Sequence, residues 1–238
     1  MKNTIPIFII TRDRLDVLLK CINSLKQIDT PYEIIIHDNL STYEPLINYL
    51  KKELLKNNLK VYWNKRNELN DVKYTINDYF QKGCESNYYI VTDPDIELLE
   101  IKNDILEFYM FLLETNLNID VVGPMLEIND IPDFYPLKQK VIESHTRQFW
   151  HKKPYSIKFK NNNFEIQNAP IDTTFGMYRK NFSFHSWNHG IRTYKPYSAK
   201  HLDWYIDPKN LSPDQKYYLK SSTNVGHWSS SFLKPYVN

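Results

Sequence analysis

Hydrophobic and polar positions follow two alternating periods along the first part of the chain. Short continuous apolar runs, typical of strands buried on both faces, alternate with segments in which apolar residues recur every three or four positions, as on one side of a helix. Strands are predicted at 5–10, 33–37, 59–63 and 88–92, and helices at 15–25, 43–56 and 71–83. This β-α alternation predicts a parallel sheet with helices on both faces.

The pattern weakens in the second part of the chain. A helix is predicted at 103–115, strands at 121–124 and 175–178, and loops and hairpins with a short helix near 136–145 over the segment 127–170. No internal repeat and no long low-complexity linker interrupts the sequence. We therefore expect one domain over residues 1–238.

Polar residues follow each of the first four predicted strands. They are Thr11 and Arg12 after the first strand, Asp38 and Asn39 after the second, Asn64 after the third, and Asp93 and Asp95 after the fourth. Ligands of parallel sheets bind beyond the carboxyl ends of the strands. We therefore expect these side chains to meet at one edge of the sheet.

The segment Thr92-Asp93-Pro94-Asp95 places a pair of carboxylates at the end of a buried strand. Alternate residues of an extended segment project to the same side, and Pro94 pushes Asp93 towards extended geometry. Both carboxylates can then face one cation. A small number of hard oxygen ligands suits Mg²⁺ or Mn²⁺ that is also held by a substrate phosphate. The sequence therefore predicts a metal–diphosphate site.

Composition and charge exclude several other classes of protein. The 238 residues carry a formal net charge of only +2, so we expect no nucleic-acid partner. Cys21 and Cys84 form neither a CxxC motif nor a disulfide framework, and no histidine pair has zinc-ligand spacing beside cysteines. The chain shows neither a membrane-spanning apolar run nor a signal-peptide pattern at its start, so we expect a cytoplasmic location.

In this order of strands, polar ends and acid-x-acid turn, the chain resembles nucleotide-sugar glycosyltransferases of the GT-A fold, near glycosyltransferase family 2. IPIFIITRDRLDVLLKCINSL is similar to that family's first strand and helix, IIIHDNLST to its second strand with a base-contacting Asp, and TDPDIEL to its DxD motif. The resemblance is good over residues 4–100 and looser from 120 onwards. It implies an α/β, Rossmann-like fold with a mixed, mostly parallel sheet flanked by helices and an irregular acceptor-side C-terminal half.

The resemblance also implies residue roles. Asp93 and Asp95 would hold Mn²⁺ or Mg²⁺, which neutralises charge on the leaving nucleoside diphosphate. The implied nucleotide-binding residues are Thr11, Arg12, Asp38, Asn39, Asn64, Arg66 and Asp93. By order along the chain, Asp203 takes the place of the catalytic base, and His227 takes the place of the C-terminal histidine that completes the metal shell. Leu202 stands where the family usually has Glu, so Asp172 remains a second candidate base.

We therefore expect a metal-dependent, inverting enzyme that moves a hexosyl or deoxyhexosyl group from a nucleotide-sugar donor, UDP-sugar, to a glycan or glycoconjugate acceptor. Residues 1–100 would form its nucleotide-binding half and residues 101–238 its acceptor-side half. A nucleotidyltransferase is the alternative enzyme, although the segment TRDRLD has no glycine-rich phosphate loop. A non-catalytic glycan-binding module is the alternative from a different class.

Several of these polar residues also have purely structural interpretations. Arg14 is expected as a solvated surface charge, and Thr11 or Asp13 as the cap of the helix that follows. His201 can pack beside Trp204 as a structural histidine or contact a phosphate or a metal. Ordinary turn or loop roles remain open for Asp38, Asp172 and His227.

Overall fold

The first part of the chain forms the predicted alternation of strands and helices. The structure, a computed structural model, describes residues 4–98, 101–185, 188–221 and 233–237. The elements are β1 (Ile5–Thr11), α1 (Leu15–Leu25), β2 (Tyr32–Asp38), α2 (Glu44–Leu55), β3 (Lys60–Trp63), α3 (Val72–Gln81) and β4 (Tyr88–Thr92). All seven were predicted from hydrophobic periodicity, and their bounds shift by only a few residues.

The second part adds shorter elements. They are β5 (Ile96–Glu97), α4 (Ile105–Thr115), β6 (Val121–Pro124), α5 (Lys138–His145), β7 (Tyr155–Phe159), β8 (Asn162–Asn168), β9 (Gly176–Arg179), β10 (Gly190–Thr193), β11 (Lys200–His201) and α6 (Pro213–Ser221). The predicted helices α4 and α5, strands β6 and β9, and a hairpin within 127–170 are present. Strands β10 and β11 and helix α6 were not predicted, because their sequences are short or mostly polar and carry no clear period.

Strands from both parts share one sheet, in the order β3-β2-β1-β4-β9-β6-β10-β8-β7. The strands β1 to β4 pair in parallel, as do β6 and β10, whereas β9 runs antiparallel between β4 and β6. The predicted mixed sheet flanked by helices is therefore confirmed. A separate antiparallel ladder joins β5 to β11 and sets His201 opposite Ile96.

Strand β1 contributes side chains to both faces of the sheet. Ile7 and Ile9 belong to the core cluster beneath α1 and α2, whereas Phe8 and Ile10 belong to the cluster on the α3 side. All are buried, as the period of two along a strand requires when helices cover both faces. Polar side chains of this strand are therefore confined to its ends. No helix among the described residues is long and apolar enough to cross a membrane.

Asp13 connects the loop after β1 to the loop before α2. Its backbone adopts a φ of 54°, and its Oδ1 accepts hydrogen bonds from the backbone N–H groups of Thr42, at 2.6 Å, and Tyr43, at 2.8 Å. These donors lie just before α2, so Asp13 joins the two loops that follow β1 and β2.

The prediction that Thr11 or Asp13 caps α1 is wrong. The residue that flanks the start of α1 is Arg14, which makes no side-chain capping bond. The N–H of Asp16 in the first turn instead donates to Asp214 Oδ2 of α6, at 2.8 Å. Local capping rules missed this arrangement because the acceptor comes from the far end of the chain.

Replacement of Asp13 by Ala should lower the free energy of unfolding by about 1–2 kcal/mol, since the two N–H groups before α2 lose their acceptor. Asp13→Asn keeps an acceptor oxygen and tolerates positive φ, so it should lose much less. Urea denaturation of the two variants measures the difference. Equal unfolding midpoints for Asp13→Ala and the unmodified protein would contradict a stabilising role for these two hydrogen bonds.

Candidate functional site

The carboxyl ends of β1 and β4 border a cleft of about 390 Å³. Among the residues predicted for the site, Thr11, Arg12, Asn39, Asp93 and Asp95 line this cleft. Arg14 and Tyr218, which the sequence did not assign to the nucleotide or the metal, line it as well, as does His201, whose role the sequence left open. The predicted convergence of polar strand ends therefore occurs, and later parts of the chain complete the wall.

Asn39 connects the cleft to a buried polar network. Its Oδ1 accepts a hydrogen bond from Asn64 Nδ2 at 3.2 Å and lies 3.0 Å from His37 Nε2. Asn64 Nδ2 also lies 3.3 Å from Asp71 Oδ2, and Arg66 donates to the same carboxylate from Nε and Nη2, at 3.1 and 3.0 Å. Asn64 and Arg66 thus bind Asp71, and the Arg66 side chain is 64% exposed. Their predicted contacts with the nucleotide stay a prediction.

Asp38 is buried at the end of β2 with only part of its hydrogen-bonding capacity used. Oδ2 accepts the backbone N–H of Ser41 at 3.0 Å, whereas Oδ1 has no hydrogen-bond partner among the described residues. Burial raises the pKa of this carboxyl group. Thr11 Oγ1, on the adjacent strand end, is likewise buried without a partner in the described part of the chain. Such atoms are costly in a folded protein and are typical of places where a ligand supplies the missing partner.

The two carboxylates of the acid-x-acid turn have different surroundings. Asp93 accepts a hydrogen bond from Thr173 Oγ1, and its N–H donates to the Thr173 carbonyl oxygen at 2.8 Å. Burial and the charge of Asp95 raise the pKa of Asp93 well above its ordinary value. Asp95 is 4% exposed, and its Oδ2 accepts a hydrogen bond from Arg14 Nη1 at 2.8 Å.

Asp95 also belongs to a cluster of side chains with metal-ligating atoms. One ligand atom from each of Asp95, His201 and Asp203 lies within 4.8 Å of the others. His201 Nδ1 lies 3.9 Å from Asp95 Oδ2, and it is buried without a hydrogen-bond partner among the described residues. Two carboxylates and an imidazole nitrogen that lacks a partner fit a divalent ion such as Mn²⁺.

The backbone and a stacked ring hold His201 in this position. The β5–β11 ladder fixes it beside the acid-x-acid turn, and the N–H of Leu202 donates to the Asp95 carbonyl oxygen at 2.8 Å. The imidazole stacks on Trp204 with 4.9 Å between ring centroids and 9° between planes. His201 therefore packs on Trp204, as its structural interpretation expected, and also faces the carboxylates. The predicted metal ligand His227 lies outside the described residues.

Among the residues of the site, Arg14 differs most from what the sequence predicted. It was expected as a solvated surface charge, but it is 8% exposed and donates to both Asp95 and Asp203. Burial lowers the pKa of its guanidinium, but the charges of Asp203 and Asp95 outweigh that effect and raise the pKa overall. Arg14 is therefore a permanent positive charge inside the site. No sequence signal distinguished it from an exposed arginine.

The two predicted base candidates differ in accessibility. The Asp203 side chain is 5% exposed and is held by Arg14. The Asp172 side chain is 35% exposed, with its Oδ1 at 3.9 Å from Arg192 Nη2 and without a hydrogen-bond partner in the described part of the chain. Asp172 directly precedes Thr173, the partner of Asp93, and its charge contributes to the raised pKa of Asp93. Asp172 thus lies beside the acid-x-acid turn on the side of β9.

His145 adds a neutral ring behind the site. It contacts Trp204 edge to face, with 4.6 Å between centroids, and its Nδ1 lies 3.0 Å from the Val141 carbonyl oxygen. Burial lowers the pKa of His145 to about 4, so the ring is uncharged near neutral pH. It supports Trp204, and through it His201, without adding charge to the cluster.

No protein-family model matches the sequence, and no curated protein matches it either. Among solved structures, the chain is similar to Staphylococcus aureus TarS 1-349 in complex with UDP-GlcNAc, with 14% identity and a TM-score of 0.49, over 98% of this chain and 70% of that one. It is also similar to the mannosyltransferase PcManGT from Pyrobaculum calidifontis in complex with GDP-Man and Mn²⁺, with 14% identity and a TM-score of 0.40, over 55% of this chain and 37% of that one.

A CMP:2-keto-3-deoxy-manno-octonic acid synthetase complexed with CTP also matches, with 13% identity and a TM-score of 0.35, over 50% of this chain and 51% of that one. At such values the likeness concerns the fold alone.

Asp93→Asn should stabilise the metal-free protein at neutral pH. The raised pKa means that the folded state binds the Asp93 proton more tightly than the unfolded chain does. The associated stability is present below the ordinary Asp pKa of 3.8 and is lost as the pH rises through the folded-state pKa. Asn cannot ionise and keeps an acceptor for Thr173.

Denaturation in EDTA at a series of pH values measures this effect. The unmodified protein should lose stability relative to Asp93→Asn as the pH rises from 4 to 7. Parallel pH profiles for the two proteins would contradict a raised pKa for Asp93.

Proposed function

We propose that the chain is a metal-dependent, inverting glycosyltransferase that moves a sugar from a UDP-sugar to a glycan acceptor. The observation that carries this proposal is the grouping, at one edge of the sheet, of buried polar atoms without partners and a metal-ligating cluster. Residues 1–100 would bind most of the nucleotide, and residues 101–238 would supply the acceptor side, as one domain. The sheet that strands of both parts share supports the single domain.

The nucleoside would bind beside Asp38, Asn39 and Thr11. Asp38 Oδ2 already accepts the Ser41 N–H, which leaves Oδ1 as a buried acceptor. The uracil ring offers one imide N–H to such an acceptor, whereas guanine presents neighbouring N–H groups that need a broader set. This match favours a uracil or thymine base over guanine and is consistent with the proposed UDP donor. Arg12, which lines the same cleft, would face its phosphates.

The divalent ion would be held by Asp95 and His201, with Asp203 as the third ligand and Asp93 towards the diphosphate. The buried His201 Nδ1 without a hydrogen-bond partner supports this assignment. When bound, the ion would neutralise the charge that develops on the leaving nucleoside diphosphate. Two contacts would keep these ligands in place: Thr173 donates a hydrogen bond to Asp93, and Trp204 stacks on the His201 ring.

Asp172 is the better placed of the two candidate bases. An inverting transfer needs a carboxylate that removes the proton of the acceptor hydroxyl as that oxygen attacks the anomeric carbon. Asp172 Oδ1 is buried without a hydrogen-bond donor among the described residues, whereas the side chain as a whole is 35% exposed. Asp203 is buried against Arg14 and suits a ligand or a positioning role. Arg192, with Nη2 at 3.9 Å from Asp172 Oδ1, would orient this carboxylate.

UDP should bind measurably tighter in the presence of Mn²⁺, and Asp95→Asn should remove that dependence while the fold stays intact. Isothermal titration calorimetry of UDP with and without Mn²⁺ is the measurement. Asp133→Asn, at a side chain that is 97% exposed, is the matched control and should behave as the unmodified protein. The proposal fails if the folded protein shows no metal-dependent binding of UDP.

Asp172→Asn should reduce sugar transfer, or donor hydrolysis in the absence of an acceptor, by about 10²–10⁴-fold, because the proton acceptor is lost. Its affinity for UDP with Mn²⁺ should stay close to that of the unmodified protein. Asp203→Asn should instead weaken Mn²⁺-dependent UDP binding. The reverse result, with loss of catalysis and retained donor binding for Asp203→Asn only, would assign the base to Asp203.

A further inference from the structure

Arg14 binds the two carboxylates that the proposed metal ion would need as ligands. Nη1 donates to Asp95 Oδ2 at 2.8 Å, and Nη2 donates to Asp203 Oδ1. The guanidinium also lies over the ring of Tyr218 of α6, with 5.1 Å from Cζ to the ring centroid. One buried cation therefore binds two members of the metal-ligating cluster.

A guanidinium and a divalent ion compete for these carboxylates for two reasons. Each N–H donor directed at a carboxylate oxygen uses a lone pair that a metal would need. Asp95 Oδ2 illustrates this competition, since it accepts from Arg14 and is also the oxygen that faces His201 Nδ1. In addition, two cations within a few ångströms repel each other strongly in a buried site, where solvent screens little. The Arg14 bridge therefore opposes full metal ligation of Asp95 and Asp203.

The phosphates of a nucleotide in the cleft would be a second partner for Arg14, because Arg14 lines the same cleft as Arg12 and Asp93. The forked guanidinium matches phosphate oxygens as well as it matches carboxylates. A nucleoside diphosphate in the cleft would thus offer the displaced side chain new acceptors. The metal alone would offer it none.

We propose that Arg14 is a built-in counter-cation that competes with the divalent ion for Asp95 and Asp203, so that metal and nucleoside diphosphate bind cooperatively. This proposal rests on the metal site of the proposed function. In the absence of ligand, Arg14 neutralises the two buried carboxylates and keeps Mn²⁺ affinity low. When the nucleotide enters with the ion, Arg14 moves to the phosphates and releases the ligand oxygens. Arg14 thereby acts as a positioning residue, and the site binds the divalent ion tightly only when the nucleoside diphosphate is also bound.

The test is the affinity for Mn²⁺ alone, measured by electron paramagnetic resonance of free Mn²⁺, with and without saturating UDP. The unmodified protein should bind Mn²⁺ weakly without UDP and about tenfold or more tightly with it, a typical coupling between two ligands. Arg14→Gln should bind Mn²⁺ more tightly than the unmodified protein without UDP, and the effect of UDP should shrink. Lys216→Gln removes a positive charge from the exposed face of α6 and should leave both affinities unchanged.

A gain in metal affinity separates this role from simple structural support, since a damaged site would bind Mn²⁺ less tightly. Arg14→Gln should also have a lower melting temperature in EDTA and a larger rise in melting temperature with Mn²⁺ than the unmodified protein. If Arg14→Gln does not fold with or without Mn²⁺, Arg14→Lys takes its place, because Lys keeps the charge but lacks the fork that bridges both carboxylates. Arg14→Lys should then bind Mn²⁺ more tightly than the unmodified protein.

Equal or weaker Mn²⁺ binding by the folded Arg14 variant overturns the proposal. So does Mn²⁺ binding by the unmodified protein that is strong and independent of UDP. If UDP still binds, these results do not contradict the proposed UDP donor. Conversely, Arg14→Gln could bind Mn²⁺ more tightly while no UDP binding is detected at all. That result would support competition for the carboxylates and contradict the proposed UDP donor.

Discussion

The need to neutralise buried carboxylates is the constraint on which this site depends. Asp95 and Asp203 are both almost fully buried, and an isolated carboxylate in such a place is very costly. Arg14 meets that cost by donating to both. The bridge ties the loop after β1 to the acid-x-acid turn and to the segment after β11. It therefore assembles the three parts of the chain that a cation-dependent reaction at this edge would use.

The sheet explains why such charges collect at one edge. Because helices and apolar clusters cover both faces of β1, polar side chains can face a ligand only beyond the strand ends. The parallel pairing of β1, β2 and β4 brings Thr11, Asp38 and Asp93 to the same edge. The antiparallel strand β9 then pairs with β4, so the segment before β9 carries Asp172 and Thr173 to the acid-x-acid turn.

The described part of the edge also contains polar atoms that the fold leaves without partners. Thr11 Oγ1, Asp38 Oδ1, Asp172 Oδ1 and His201 Nδ1 are buried and lack hydrogen bonds among the described residues. The rest of the fold must offset the free energy that these atoms cost. Thr11 and His201 line the cleft itself, and Asp38 directly precedes Asn39, which also lines it. We interpret these atoms as preparation for a ligand. The same reasoning connects the nucleotide, metal and base assignments, which otherwise rest on separate residues.

The sequence by itself determined the β-α alternation of the first part, the polar strand ends and the acid-x-acid turn, because these depend on periodicity and turn chemistry that are local. It did not determine which charged residues meet. Arg14 and Asp203 are 189 positions apart, and an arginine next to a helix start has the same local pattern whether it is exposed or buried. Likewise, Asp13 binds the loop before α2, and His201 joins Asp95 through the β5–β11 ladder. Only the tertiary structure decided these contacts, because they depend on where distant segments pack.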